Sequence, residues 1–162
     1  MSGAGAASGG TPCRLAISLH ASAFDPLHLL VAWHDQDAVE GAALSAAESL
    51  FIGRVRPCGS GGEALAALEL EHYPGMTERQ LQQLAQHCTQ RHRVQACRVA
   101  HRVGRVLPGE AIVLVAIHAD RRGPAQRCCQ ELLEALKHEA PFWKREWRAD
   151  GSSHWLMGNT PL

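Results

Sequence analysis

Residues 112–136 read I-V-L-V-A-I-H-A-D-R-R-G-P-A-Q-R-C-C-Q-E-L-L-E-A-L, and they contain the longest apolar run of the chain followed by a helix start. Its first part, Ile112 to Ile117, is wholly apolar, which predicts a strand buried on both faces. Gly123 and Pro124 then open a helix whose apolar residues recur at helical spacing until Pro141 ends it. A buried strand followed at once by an amphipathic helix predicts a chain that mixes strands and helices.

Shorter strands surround this unit. Alternating apolar residues predict strands at 15–19, 49–55, 65–71 and 97–103, and Asp150-Gly151 predicts a hairpin turn between Trp147 and Trp155. The strand at 97–103 is expected to have one basic face, formed by Arg98 and Arg102. Because the expected strand pairings are hairpins, the pattern predicts an α+β fold.

Two further helices are predicted before the strand at 97–103. The first begins at Asp25-Pro26, an N-cap followed by proline, with an inward face of Leu27, Leu30, Val31 and His34. The second begins at Thr77, which forms a capping box with Gln80. Residues 1–12 are rich in Gly, Ala and Ser and predict a flexible tail, which leaves residues 13–162 as a single domain.

Composition excludes several classes of protein. With 46% hydrophobic and 20% charged residues, the chain is neither disordered nor fibrous. Sixteen basic residues balance sixteen acidic ones, so no net charge attracts nucleic acid or anionic lipid. The longest apolar run, Ala111 to Ile117, is too short for a membrane helix, and the N-terminus does not resemble a secretory signal. We therefore expect a cytoplasmic protein that binds neither nucleic acid nor membrane.

Four possible zinc ligands, Cys88, His92, Cys97 and His101, occur in the pattern C-x3-H-x4-C-x3-H. A tetrahedral zinc site needs four side chains that converge on one point. Here the first pair lies on a predicted helix and the second on one face of a predicted strand. The sequence therefore predicts no metal site, and all six cysteines are expected to be free thiols.

The basic residues are fourteen arginines and two lysines, Lys137 and Lys144, which stand seven residues apart. Arginine keeps its proton at working pH, whereas burial and neighbouring charges can tune a lysine. Pro141 turns the chain between the two lysines, and Phe142 and Trp143 supply an apolar wall. We expect both amines to line one shielded pocket, a setting that lowers the pKa of an amine. A structural helix end, with lysine at its C-terminus, is the alternative.

Two pairs of arginines suit an anion. Arg121 and Arg122 come directly before a helix N-terminus, whose free amide groups and partial positive charge favour phosphate or carboxylate. A solvated turn, with Asp120 neutralising one arginine, is the alternative. Arg54 and Arg56 project to one side at a strand end and form a weaker candidate.

Four segments resemble the large, catalytic subunit of molybdopterin synthase. They are F-I-G-R-V-R (51–56), L-E-L-E-H-Y-P-G-M-T-E (68–78), H-R-V-G-R-V-L-P-G-E (101–110) and L-K-H-E-A-P-F-W-K-R-E (136–146). They follow the family's order and come close to its spacing, and the resemblance covers roughly residues 24–157. The last segment is the most specific of the four.

The resemblance implies an α/β-hammerhead fold, with a mixed, mainly antiparallel sheet and two to three helices. It further implies a homodimer that forms a heterotetramer with a small ubiquitin-like sulfur carrier. The carrier's C-terminal Gly-Gly thiocarboxylate supplies sulfur to cyclic pyranopterin monophosphate, and two transfers build the dithiolene of molybdopterin. No metal or organic cofactor is implied.

The resemblance also implies roles for individual residues. Lys137 contacts the carrier terminus, Lys144 is an amine on the substrate side, and Arg56 binds an anion. From these positions we expect Lys137 and Lys144 to be catalytic and to bind substrate. Arg56 and Arg122 would clamp the phosphate. The family commonly has a His-Arg pair where this chain has Arg121-Arg122, so the role transfers more safely to Arg122 than to Arg121.

Two other functions compete with this interpretation. A non-catalytic paralogue would bind the sulfur carrier as a scaffold and lack the substrate site, and the departure at Arg121 is its only support. The retained Lys137 and Lys144 argue against it. A basic nucleic-acid module is the third interpretation, and the neutral charge balance argues against that one.

Overall fold

The computed structural model of the chain describes residues 12–157. The predicted tail, residues 1–12, lies outside this range except for its last residue. The elements follow the order β1 (Arg14–His20), α1 (Pro26–Val39), β2 (Ala47–Arg54), β3 (Leu65–Glu71), α2 (Met76–His92), β4 (Ala96–Arg102), β5 (Gly104–Val106), β6 (Ala111–Ala119), α3 (Arg122–Glu139), β7 (Trp143–Arg148) and β8 (Ser153–Trp155). The predicted strands are present with ends shifted by at most two residues.

The first sheet has the strand order β1-β4-β6-β2. Strands β1 and β4 are parallel, whereas β4 with β6 and β6 with β2 are antiparallel. Helices α2 and α3 cover one face, and their apolar residues form the main core with that face. Leu81 and Cys88 of α2 and Leu132 of α3 pack there with Val99 and Ile117 of the sheet. The strand predicted from Ile112 to Ile117 is the centre of this core, as expected.

The second sheet has the order β5-β3-β7-β8 and is antiparallel throughout. A smaller core of Val55, Leu68, Leu70 and Val106 lies against it. Phe142 packs against both cores, so the segment between α3 and β7 lies where the two sheets meet. The α+β prediction is confirmed, with three helices in residues 12–157.

The predicted hairpins are only partly correct. Strands β7 and β8 form the hairpin expected around Asp150-Gly151. Strands β4 and β6, which follow one another among the predicted strands, also pair antiparallel as expected. The remaining pairings join distant strands, because β1 pairs with β4, β2 with β6, and β3 with β5 and β7. Alternation of apolar residues shows that a strand has a buried face, but it carries no information on a distant partner.

Helix α1 begins where predicted, and Leu30 and His34 of its predicted inward face are partly buried. Asp25 caps the helix, and its Oδ1 accepts hydrogen bonds from the backbone N–H groups of Leu27 and His28. Leu27 and Val31 are 60% and 58% exposed, however, and the buried residues of α1 are Pro26 and Asp37. The helix is held to the sheet by polar groups, with Asp37 paired to Arg98 and Arg14, instead of by an apolar face.

Helix α2 does not use the predicted Thr77–Gln80 capping box. It begins after Gly75, whose φ of 82° suits glycine, and whose N–H donates to Glu78 Oε2 at 2.6 Å. The Thr77 hydroxyl accepts a hydrogen bond from the backbone N–H of Tyr73 instead. Because Gly75 is the N-cap instead of Thr77, the helix begins two residues earlier than predicted.

The predicted basic face of β4 is buried. Arg98 pairs with Asp37, and Arg102 bonds to Glu110 and to the backbone carbonyl of Arg105. These arginines stabilise the interior and are not available to an external anion. None of the helices described is both long and apolar enough to span a membrane.

Candidate active site

A cavity of about 360 Å³ opens at the C-terminal end of α3. Lys137, from the last turn of α3, and Lys144, from β7, both line it. Helix α3 ends at Glu139, Ala140 is extended, and the chain turns into β7 after Phe142. The sequence prediction that both lysines share one pocket is confirmed.

Phe142 and Phe51 form the aromatic wall of this pocket, with Ile112 and Leu133 among its apolar lining. The expectation that Trp143 also shields the amines is wrong. Trp143 lies on the outer face of β7, where its ring meets that of Tyr73 edge to face at 5.1 Å. Phe142 directly precedes β7, and Trp143 is the first residue of that strand. Because successive residues of a strand point to opposite faces, the two rings lie on opposite sides.

Lys144 is held by strand pairing on both sides. It lies opposite Leu70 of β3, and its carbonyl accepts a hydrogen bond from Leu156 N–H at 2.8 Å. Burial lowers the pKa of Lys144, and the positive charge of Lys137 lowers it further. This is the direction that the sequence predicts for an amine in a shielded pocket.

His101 is a pocket residue that the sequence pattern offered only as a zinc ligand. Its Nδ1 bonds to the carbonyl of Arg102 at 2.8 Å, and its ring stacks on Phe142. Because Nδ1 donates to a carbonyl, the neutral ring leaves Nε2 as an acceptor. Burial lowers the pKa of His101 to about 4, and Lys144 adds to the effect. His101 is therefore an uncharged acceptor beside two amines.

Arg54 and Glu134 complete the charged lining. Arg54 is the last residue of β2, and its guanidinium donates to the carbonyl of Gly109 at 3.3 Å. Arg56, the residue chosen from the sequence, lies two positions further on, is exposed and does not line this pocket. With Lys137, Lys144 and Arg54 against one carboxylate, the pocket favours an anion.

Arg121 and Arg122 lie at the opposite end of α3. The Arg121 side chain is 82% exposed and stands 3.8 Å from Asp120, so the expected partial neutralisation is present. Arg122 and Lys137 are fifteen residues apart on one helix, which places them about 22 Å apart along its axis. A single chain therefore does not bring Arg121 or Arg122 to the lysine pocket, and the expected phosphate clamp of Arg56 and Arg122 is not assembled there.

The four candidate zinc ligands do not converge. Cys88 and Cys97 belong to the main core, His92 bonds to Glu131 at 2.6 Å, and His101 faces the lysine pocket. Burial raises the pKa of Cys88 to about 11 and raises that of Cys97 well above its ordinary value. These thiols stay protonated and make poor sulfur nucleophiles.

The two lysines were predictable from the sequence, whereas His101, Glu134 and the choice of Arg54 over Arg56 were missed. The lysines were detectable because they are rare and flank a proline. The alternation of apolar residues predicted the strand that contains His101. It could not predict the contact of His101 with Phe142, which is forty-one positions away in the chain.

Comparison with known proteins agrees with the geometry. Residues 28–139 match the family model described as MoaE protein. The molybdopterin synthase catalytic subunit of Pseudomonas aeruginosa is 39% identical over 89% of this chain and 91% of its own length. The molybdopterin biosynthesis MoaE protein of Burkholderia ambifaria has 35% identity and a TM-score of 0.69, with 92% of each chain covered.

A structure from Helicobacter pylori, a complex of subunits 1 and 2 of molybdopterin-converting factor, shares the fold. Its TM-score is 0.66, at 20% identity, with 88% of each chain covered. The matched stretch 28–139 contains β2, β4, β6 and α3 with Lys137, which together build most of the pocket. From the family model and the close relatives, the chain belongs to the MoaE family, whose curated relatives are molybdopterin synthase catalytic subunits.

Proposed function

We propose that the chain is a sulfurtransferase, which takes sulfur from the C-terminal thiocarboxylate of a small ubiquitin-like carrier subunit. It passes this sulfur to cyclic pyranopterin monophosphate, and two transfers form the dithiolene of molybdopterin. The observation that carries the proposal is one pocket lined by both lysines of a MoaE-family chain. The thiocarboxylate and the phosphate are both anions, which suits a pocket that contains two amines and a guanidinium.

Lys137 orients the thiocarboxylate and polarises its carbonyl. An ammonium group is a compact charge with three donors. Its positive charge stabilises the oxyanion that develops when water attacks the carbonyl, which breaks the C–S bond, leaves the sulfur on the substrate and releases the carrier as a carboxylate. The side chain is half-buried at the pocket, and the end of α3 is fixed because Gln80 donates to the carbonyl of Glu139 at 2.8 Å. This support holds Lys137 in a defined place.

Lys144 either handles protons or anchors the pterin, and its environment fits both roles. Burial and the charge of Lys137 lower the pKa of Lys144, so its proton is easier to lose than that of a solvated lysine. As a proton acceptor, Lys144 would make the rate rise as pH rises through its lowered pKa. As a cationic anchor, it would make the rate fall over the same range. The pH profile distinguishes these roles.

The substrate phosphate needs more positive charge than one chain places in the pocket. We propose that Arg54 lies beside it, and that Arg56, Arg121 and Arg122 reach the phosphate from a second copy in a homodimer. The separation of about 22 Å between Arg122 and Lys137 supports a second copy, because one helix cannot fold back on itself.

The carrier subunit is a separate partner in this proposal, and two carriers with two copies of this chain form a heterotetramer. The Helicobacter pylori structure that shares the fold is a complex of two subunits, which supports such a partner. The proposed location is the cytoplasm, and the transfer itself needs neither a metal nor an organic cofactor. Residues 13–162 are proposed to be one domain.

The experiment that tests this function combines purified protein, thiocarboxylated carrier and cyclic pyranopterin monophosphate, and measures both molybdopterin and carrier binding. Product formation supports the enzyme. Tight carrier binding without product would support the competing scaffold paralogue and would direct attention to Arg121. Lys144→Ala with full turnover would remove Lys144 from the mechanism.

A further inference from the structure

Three possible metal ligands meet on the face of the first sheet that α1 covers. They are His34 of α1, Glu48 of β2 and His118 of β6, and their ligand atoms all lie within 4.8 Å of one another. Glu48 Oε1 is 2.8 Å from His34 Nε2 and 2.7 Å from His118 Nε2. None of these residues lines the lysine pocket.

Strand pairing fixes two of the three positions. Glu48 and His118 are directly opposite each other in the β2–β6 ladder, so their side chains leave the same face of the sheet. The carbonyl of His118 also accepts a hydrogen bond from Gln95 N–H at 2.7 Å. Ile117, the residue before His118, packs in the core beneath α2 and α3, and successive strand residues face opposite sides of the sheet. The cluster is therefore on the face of the sheet away from α3, whose last turn carries Lys137.

In the part of the chain that the structure describes, one ring nitrogen of His118 is buried without a hydrogen-bond partner. Its side chain is only 6% exposed, and among the described residues Nε2 has no hydrogen-bond partner of acceptable geometry, although Glu48 is close. A shielded nitrogen that points into a cluster without a proper partner is unfavourable unless another group satisfies it.

The anionic group that faces the cluster is Glu48. Asp37, which also lies near His118, accepts from both Arg98 and Arg14, so its carboxylate is fully used by these two arginines. Within residues 12–157, the carboxylate of Glu48 is paired with imidazoles alone. Glu48 and His34 are partly exposed, which gives an ion a path from solvent.

We propose that His34, Glu48 and His118 bind a divalent transition metal, with Zn²⁺ the best match to two imidazoles and one carboxylate. Ligands about 2.1 Å from a tetrahedral ion lie roughly 3.4 Å apart. The Glu48 oxygen therefore needs to move about 0.6–0.7 Å away from each of the two imidazole nitrogens, which are 2.8 and 2.7 Å from it. Solvent supplies the fourth ligand. The ion ties α1 to β2 and β6 at a second point, in addition to the pairing of Asp37 with Arg98 and Arg14.

The test uses chelator-treated protein titrated with Co²⁺ and Zn²⁺. Visible absorption reports tetrahedral Co²⁺, calorimetry reports Zn²⁺ stoichiometry, and melting temperature reports stabilisation. We expect one equivalent to bind and to raise the melting temperature. His34→Gln should weaken binding by at least about 100-fold, because it removes a direct ligand. His28→Gln, an exposed histidine on the same helix, should bind like wild type.

Because His118 is buried, the His118→Gln protein can fail to fold. The test therefore uses His34→Gln, which changes a partly exposed residue. No Zn²⁺ binding in the submillimolar range would overturn the proposal, as would wild-type binding by His34→Gln. A second group of possible ligands, Glu63, Glu146 and His154, provides another check. Loss of binding in His154→Gln, with His34→Gln unaffected, would also overturn the assignment.

Discussion

The imidazole of His101 lies flat on the ring of Phe142, with centroids 4.2 Å apart and planes 9° from parallel. This stack joins β4, inside the first sheet, to the segment that connects Lys137 with Lys144. It fixes that segment at the meeting of the two sheets and gives the pocket an uncharged wall. The stack therefore links the stability of the fold to the geometry of the site.

We predict that His101 makes stability depend on pH. Burial lowers the pKa of folded His101 to about 4, whereas an unfolded histidine titrates near 6.5. Between these values the unfolded chain binds the extra proton, so stability falls as pH is lowered through this window. The full effect on the free energy of unfolding is about 3 kcal/mol, because a tenfold change in proton affinity corresponds to about 1.4 kcal/mol.

Urea unfolding of wild type and His101→Gln at several pH values measures this effect. The stability advantage of wild type should shrink as pH falls from about 7 to about 4. Other titrating groups are common to both proteins and cancel in the difference. A difference that stays constant with pH would contradict a buried, neutral His101.

We predict that Lys137→Ala raises the pKa of Lys144. The charge of Lys137 is one of the two causes that lower the pKa of Lys144, and removing a like charge favours the protonated amine. The chain has only two lysines, so NMR titration of isotopically methylated protein resolves them readily. Gln130→Ala, at an exposed position on α3, should leave the pKa unchanged. An unaltered pKa in Lys137→Ala would show that the amines do not interact.

Asp37→Ala should destabilise the fold by about 3–5 kcal/mol. The carboxylate is buried between Arg98 and Arg14, and its removal leaves the buried Arg98 without a counter-charge. Asp35→Ala, on the exposed side of the same helix, should change stability by less than about 0.5 kcal/mol. Denaturant unfolding measures both, and equal effects would contradict the role of Asp37 in holding α1.

The proposed homodimer predicts complementation between two inactive variants. Lys137→Ala and Arg122→Ala should each lose most activity, because each removes one side of the site. When the two are co-expressed, half of the dimers are mixed, and each mixed dimer has one intact site of two. Activity should then recover to about a quarter of wild type. No recovery would mean that both residues act within one chain, whereas full activity of Arg122→Ala alone would mean that Arg122 has no role.

Local sequence signals predicted the elements well. Asp25-Pro26 and Gly123-Pro124 mark two helix starts, and the apolar run at Ile112 to Ile117 marks the central strand. The pairing of Lys137 with Lys144 was also predictable, because Pro141 forces the turn between them. Each of these features depends on residues close together in the chain.

Features that depend on distant residues were not predictable. Leu27 and Val31 were expected to face inward because helical spacing shows a periodic face without showing whether the sheet covers it. Arg98 was expected on a basic face because its partner, Asp37, is sixty-one positions away. The same limit applies to His101 and Phe142, and to the placement of Arg122 far from the lysines.

The most direct test of the account is turnover by Lys137→Ala. Wild type and the variant are each mixed with thiocarboxylated carrier and cyclic pyranopterin monophosphate, and molybdopterin is measured, with Gln130→Ala as the control on the same helix. We predict that Gln130→Ala retains wild-type activity. In contrast, Lys137→Ala keeps its fold but loses at least about 100-fold in rate, the cost of removing an oxyanion donor. A correctly folded Lys137→Ala that makes molybdopterin at the wild-type rate would contradict the central claim.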